Sequence, residues 1–281
     1  MRLGISPFAR TRETVLELSG AAVQGGLDTR WLGDGYLAGD DFAGWAGSME
    51  SMTELAWLAG HFPAARVGIT AAVLPLRDPA WLAKEANTLD NLTEGRFVLV
   101  VAPGFWRRDF EHRGLDFDRR GDRLLEHLGA LRAALDGRGY EGEYLRIPAE
   151  GRLSPLPESD GVPVWLAGAR ATMEKALALG LPYQSSRARP ADLAPLAAEW
   201  FDRGGTTLAH RVYVLAGNTD ATGHEVDWNA VTGSADQLVE ALSRFGELGV
   251  SDLSIVPGQD DEQSRHTIEV LATEVVPQLD R

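Results

Sequence analysis

Leu74–Glu126 reads LPLRDPAWLAKEANTLDNLTEGRFVLVVAPGFWRRDFEHRGLDFDRRGDRLLE, and this stretch decides the fold. Asp78 and Pro79 make an N-cap and first-turn pair, because proline's missing N–H is no loss at that position. Leu82, Ala86 and Leu89 then recur at helical spacing, and Gly95 supplies a stop. Phe97–Val101 is a short, Val-rich apolar run suited to a strand buried on both faces. Pro103 and Gly104 end it in a loop, and Leu124, Leu128, Leu131 and Leu135 mark one face of a following helix. Helix, buried strand, polar loop, helix: this order predicts a parallel α/β unit with a functional loop beyond the strand.

The alternation extends in both directions. Leu3–Ser6 reads as a first strand, and a helix over Arg12–Gln24 turns Val15, Leu18 and Ala22 inward before stopping at Gly25-Gly26. Thr29–Gly33 and Arg66–Val73 read as strands two and three, with a helix at Met49–Ala59 between them. Pro163–Ala167 is the fifth strand, followed by a helix over Ala171–Leu179. Leu181–Ser186 is a weaker sixth because Pro182 cannot donate to a ladder. A helix at Ala191–Asp202 leads to strand seven, Thr207–Ala216. Leu238, Leu242 and Phe245 mark the next helix, Asp252–Val256 strand eight, and Ile268, Leu271, Val275 and Leu279 the final helix. The pattern predicts a (β/α)8 barrel in one domain spanning residues 1–281. A doubly wound open sheet would want a glycine-rich first turn, and GISPFA is not one.

Composition narrows the function. The chain has 27 basic and 41 acidic residues, a net charge of −14, which argues against nucleic acid and anionic membranes as general partners. It has no cysteine, so disulfides and thiolate chemistry are excluded together. No apolar run reaches the roughly 18 residues that a membrane span needs. The opening MRLGIS enters a strand without a signal peptide's regions, and a cytoplasmic protein is expected.

Barrel sites lie at the C-terminal ends of strands, which sorts the candidates. His61 precedes strand three and His210 opens strand seven, both toward the far end; His127 and His266 fall within helices, at the surface or core edge. His112, after strand four, and His224, after strand seven, remain as proton carriers or as solvated loop residues. The chain offers no HExxH, P-loop or GxSxG, and no metal set. Gly168-Ala169 lies between strand five and its helix, where backbone N–H groups suit a phosphate and where glycine equally permits a tight turn. Arg170 and Arg187 are placed to add charge.

RVGITAAVLPLRDPAWLAKEANTLDNLTEGRFVLVVAPGFWRRDFEHRGLDFDRRGDRLLEHL resembles the bacterial luciferase-like monooxygenase superfamily. TRWLGD, PVWLAGARATMEKALALG and GSADQLVEALSRFGELGVSDLSIV resemble it too, so the likeness runs over almost the whole chain. The resemblance implies a (β/α)8 barrel that uses reduced FMN or coenzyme F420. It also implies that Ala71, Ala72 and Val73 form a bulge under the flavin ring, with a cis peptide at Ala72-Val73. Ala102, Pro103, Gly104 and Phe105 match the loop flanking the flavin, and Gly168, Ala169 and Arg170 match the phosphate-binding turn. Phe8, Trp45, Phe105, Trp106 and Trp228 are candidate aromatic walls, and Arg107, Arg108, Arg187 and Arg189 suit either cofactor's anion.

Three positions depart from the family pattern. Gly35 follows Asp34 where a histidine is common, Pro103 stands where FMN-using luciferases often carry an arginine, and Gly217–Gly233 is shorter than the usual covering insertion. The expected protein is an FMN- or F420-dependent oxidoreductase or monooxygenase acting on a small organic molecule, with protons supplied by Asp34, His112 or His224. The rival is a flavin-binding or catalytically reduced barrel without turnover, which Gly35 favours. A homodimer is implied by resemblance alone.

Overall fold

The computed structural model describes residues 1–8, 11–37, 49–150, 153–158, 160–217 and 229–279. Their contacts divide into two compact units, one drawn mainly from Met1–Leu32 and Trp165–Arg281, the other from Gly33–Leu37 and Glu50–Val164.

The first unit begins with β1 (Arg2–Ile5), α1 (Arg12–Gln24) and β2 (Thr29–Leu32). Thr11 caps α1 by accepting from the Thr14 N–H, and Val15, Leu18 and Ala22 are buried as their spacing requires. The second unit follows with α2 (Ser51–His61), β3 (Arg66–Val73), α3 (Pro79–Leu92) and β4 (Phe97–Ala102). Asp78 caps α3 through the Trp81 N–H at 2.8 Å, with Pro79 in the first turn. Phe97 to Val101 are all fully buried, as a strand covered on both faces should be. A short α4 (Arg107–His112) precedes α5 (Arg120–Leu135), and a small hairpin, β5 (Tyr140–Glu141) with β6 (Arg146–Ile147), follows. Neither α4 nor the hairpin has a periodicity long enough to read in sequence.

The chain returns to the first unit through β7 (Val164–Ala167), α6 (Arg170–Leu179), β8 (Tyr183–Ser186), α7 (Pro190–Asp202) and β9 (Leu208–Ala216). β8 starts one residue after Pro182, so the proline stands outside the ladder. β10 (Val231–Gly233), α8 (Ala235–Glu247), β11 (Val250–Val256) and α9 (Asp261–Val270) complete it. Ser234 and Gln237 form a reciprocal capping box on α8, and Leu238, Leu242 and Phe245 are fully buried. The predicted final helix is not one continuous α-helix: Leu271–Val275 forms a π turn and Val276–Gln278 a 3₁₀ turn. Crowding accompanies the change, because a side chain on Gly25 would stand 2.1 Å from Ala272 Cβ.

Within the first unit the parallel strands run in the order β7-β8-β9-β11-β1-β2, with β10 beside the C-terminal half of β9. In the second unit β3 pairs with β4, also in parallel.

Candidate functional site

The second unit's candidate region is the C-terminal end of β3. Ile69 pairs with Leu99, but Ala72, not Ala71, pairs with Val101, so β3 carries one extra residue there. The cis peptide lies in this bulge, at Thr70-Ala71, and not at the expected Ala72-Val73. The reason is register: Ala72 and Val73 have already rejoined the ladder opposite Val101 and Ala102. Gly104 then approaches Val73 so closely that a Cβ would stand 2.6 Å from Val73 Cγ1, and its φ of +82° is one glycine adopts freely.

Asp34 secures this end. Its Oδ2 accepts from the Val73 N–H at 2.9 Å and from Arg77 Nε at 2.9 Å, while Oδ1 accepts from Arg77 Nη2 at 2.7 Å. The same Nη2 reaches Glu50 Oε1 at 2.8 Å. Burial works against the charge on Arg77, but the hydrogen bonds and charges of Asp34 and Glu50 outweigh it and raise its pKa. Burial would likewise raise Glu50, yet bonds from Arg77, Thr53 and Met52 bring it down to about 2. Glu54, one turn along α2, is pushed up to about 7, first by burial and then by the charge of Glu50. Both oxygens of Asp34 are thus engaged by donors, an arrangement that holds backbone and does not suit proton shuttling.

The loop beyond β4 gathers polar and aromatic groups. Asp109 is buried, accepts from the Tyr36 backbone N–H, and has its pKa raised mainly by burial, with Arg108 opposing. Its Oδ1 lies 3.7 Å from Arg108 Nε. Sequence reading passed over Asp109 because an acid among arginines resembles a solvated helix start; its burial is a tertiary fact. His112 is exposed and sets its ring 5.5 Å from that of Tyr36. Ala102 and Pro103 are half-buried, and Phe105 is 63% exposed beside Trp106. His127, expected at the surface or core edge, is buried, because α5 turns it to the Leu74 carbonyl at 3.1 Å, directly beyond β3. His224, Trp45 and Trp228 lie outside the described residues.

The first unit's candidates follow β7, β8 and β9. Gly168 has φ +155°, and a Cβ there would meet Thr172 Oγ1 at 2.5 Å. Its carbonyl accepts from the Tyr183 hydroxyl at 2.5 Å, and its N–H donates to the Gln184 carbonyl at 3.4 Å. Ala169 is the N-cap of α6 and gives that helix no side-chain cap. Arg170, expected beside this turn, instead donates to Glu199 of α7, because its position in the first turn faces the neighbouring helix.

Arg187 sits just beyond β8 at φ +60°, its N–H on the Arg211 carbonyl at 2.9 Å. Arg211 Nη2 donates to Ser6 Oγ at 3.2 Å, and Tyr213 places its ring 6.4 Å from Phe8. His210 does not sit apart at the far end. Its Nε2 bonds the Ala188 carbonyl at 2.9 Å in the loop carrying Arg187, and its Nδ1 bonds Ser185 Oγ at 2.7 Å. Burial pushes its pKa down to about 4, so the ring is neutral at pH 7.

Among the described residues no group of acids and histidines is arranged to hold a metal ion, and no helix is long and apolar enough to cross a membrane.

Comparison with known proteins now adds to this geometry. The model of a family described as luciferase-like monooxygenase matches residues 5–221. Pyrimidine monooxygenase RutA of Cronobacter turicensis is 30% identical over 224 residues, which cover 74% of this chain and 58% of that protein. The chain spans less than two thirds of the length of the curated relatives it matches first. Among solved structures, the coenzyme F420-dependent tetrahydromethanopterin reductase from Methanopyrus kandleri matches with a TM-score of 0.78 and 16% identity over 99% of both chains. The oxygenating constituent of 3,6-diketocamphane monooxygenase from Pseudomonas putida, in complex with FMN, matches at 0.76 and 16% identity, covering 100% of this chain and 99% of that one. These likenesses show the expected fold class, an α/β parallel (β/α)8 barrel. The chain belongs to the luciferase-like monooxygenase family.

Proposed function

We propose that this protein is an oxidoreductase that uses FMN or coenzyme F420 to oxidise or reduce a small organic molecule. The observation that carries this reading is the bulged end of β3, where small residues Ala71 and Ala72 sit on a backbone held rigid by Asp34 and Arg77. A flat ring needs such a support: no side chain large enough to displace it, and a backbone that does not move. Ala71, Ala72 and Val73 would lie under the ring, with Ala102, Pro103, Gly104 and Phe105 beside it. The uncapped first turn of α6 after Gly168 and Ala169 would receive the phosphate, since its N–H groups carry the positive end of the helix dipole. The bound cofactor would supply hydride transfer or oxygen activation, and the chain's work is to bind, orient and exclude water.

Asp34 acts in this reading as a positioning residue, because its oxygens are taken by Arg77 and Val73. His112, exposed next to Tyr36, is the proton carrier that the described residues favour. The second reading, a flavin carrier without turnover, draws on Gly35 and on the engagement of Asp34. We take the chain as one domain that works as a cytoplasmic homodimer on a small-molecule substrate, which sedimentation would check for the assembly.

The visible spectrum of the purified protein with each cofactor tests the proposal. A bound yellow cofactor that is bleached by reductant and reoxidised on adding an organic acceptor supports the enzyme. Cofactor that binds and never cycles supports the carrier, and a chain that takes up neither ends both readings.

A further inference from the structure

The parallel strands of the first unit turn one face to the helix layer and one away from it. His210 of β9 faces the helices, its ring 5.2 Å from Phe245 of α8. Successive residues of a strand point to opposite faces, so Arg211 belongs to the other side. Register carries that side along the sheet: Ser186 pairs with Arg211, Arg211 with Ser254, Ser254 with Gly4, and Gly4 with Thr29. Paired residues of a parallel ladder share a face, so these five form one row across β8, β9, β11, β1 and β2. Trp31, two residues beyond Thr29, meets Trp165 of β7 with ring centroids 6.0 Å apart. β2 and β7 stand at the two ends of this unit's strand order, so the sheet curls with the row on its inner side. A barrel interior is ordinarily filled with Val, Ile and Leu, and this row is polar instead.

Two members of the row are left over. Thr29 is 1% exposed and Ser254 is fully buried, yet neither Thr29 Oγ1 nor Ser254 Oγ has a hydrogen-bond partner among the described residues. Hydroxyls taken out of water are almost always bonded to something, because an unmade bond forfeits the hydration given up on burial.

Both residues flank Gly4. A side chain there has no room: its Cβ would stand 2.7 Å from Thr29 Cβ and 2.7 Å from Trp31 Cδ1. Thr29 thus leans over the glycine, and the edge of the Trp31 indole closes on the same spot. On the other flank Ser254 is one strand spacing away, about 4.8 Å. The β-carbons of Thr29 and Ser254 are therefore within about 8 Å of each other, with hydroxyls that can turn inward. A water molecule bonded to both spans about 5.6 Å between its partners, two bonds of about 2.8 Å.

We propose that Thr29 and Ser254 hold a buried water molecule between Thr29 Oγ1 and Ser254 Oγ, beside Gly4. The chemistry of the site selects the ligand. Each hydroxyl donates and accepts, so the pair suits a neutral molecule that does the same, and the indole edge leaves no place for a larger one. Gaps lined by apolar groups stay dry, whereas a polar position of this size is where interiors keep water. The bridge ties β2 to β11 across the intervening β1, and glycine at position 4 serves it by letting Thr29 approach. This assignment concerns the interior of the first unit and is independent of the oxidoreductase reading.

The test combines a crystal structure of the parent protein, at a resolution that shows ordered water, with urea unfolding of Thr29→Val, Ser254→Ala and the double variant in the full chain. The crystal should show one water within about 3.2 Å of both oxygens. Each single substitution strands the remaining hydroxyl, so each should lower the urea midpoint at unchanged slope. Removing both partners leaves nothing unsatisfied, so the double variant should unfold at a higher midpoint than either single one. A midpoint that rises in either single variant would mean that the hydroxyl was never hydrated, and additive losses would mean that the two act separately; either result overturns the bridge. A parent structure with no water there, or with separate waters on the two oxygens, overturns it as well. Should a single variant fail to fold, the parent structure alone decides.

Discussion

Arg77 and Arg211 stand in contrasting company. Arg77, just beyond β3, lies against the carboxylates of Asp34 and Glu50, and its donors tie α2, the Asp34 loop and the end of β3 into one piece. Arg211, within β9, lies against a serine hydroxyl and stands near a phenol and a second arginine. The first arrangement neutralises charge internally and turns an arginine into a fastening. The second sets an arginine of β9 against a neutral hydroxyl, Ser6 Oγ, just beyond β1. The same residue type therefore meets carboxylates in one unit and a hydroxyl in the other.

The sharpest way to break this contrast is Asp34→Ala. It strands a largely buried guanidinium and the Val73 N–H, and stability should fall by about 3–5 kcal/mol in urea unfolding. A loss near zero would mean that Arg77 finds equivalent partners and that Asp34 is no fastening.

The titrating groups of the two units should oppose each other. His210 has a folded pKa of about 4 against an ordinary 6.5, so the unfolded chain takes the proton first. Stability is complete above pH 6.5 and declines as pH falls toward 4, by at most about 3 kcal/mol, a portion that His210→Gln should remove from the pH profile. Glu54 has a folded pKa of about 7 against an ordinary 4.5, so the folded chain keeps its proton longer. Stability from this group is lost as pH rises from 4.5 through 7, and Glu54→Gln should gain about 2 kcal/mol at pH 8 and little at pH 4. Profiles of the same sign in both variants would contradict the two environments.

Gly104→Ala should cost about 1–2 kcal/mol, through its positive φ and the contact with Val73, and should weaken FMN or F420 binding if the β3 end supports the ring. The smallest effect belongs to Arg170→Ala. Because that side chain is turned to Glu199, cofactor affinity should stay within about twofold of the parent protein in a fluorescence titration. A larger loss would return Arg170 to the phosphate turn.

Local chemistry determined most of what could be read in advance. The Thr11 and Asp78 caps, the inward rows Val15-Leu18-Ala22 and Leu238-Leu242-Phe245, and the limits of β3 depend on residues a few positions apart. Those spacings repeat with the period of the element itself, and so the alternating α/β pattern and the barrel class were legible. The tertiary structure alone decided the rest. Asp34 meets Arg77 across 43 positions of sequence, and the bulge falls at Thr70-Ala71 because β4 sets the register. It turned Arg170 away from its expected turn, buried Asp109 and His127, and set Arg211 of β9 against Ser6. Charge pairing and strand register follow distance in space, and distance in space is a property that no local period of the chain encodes.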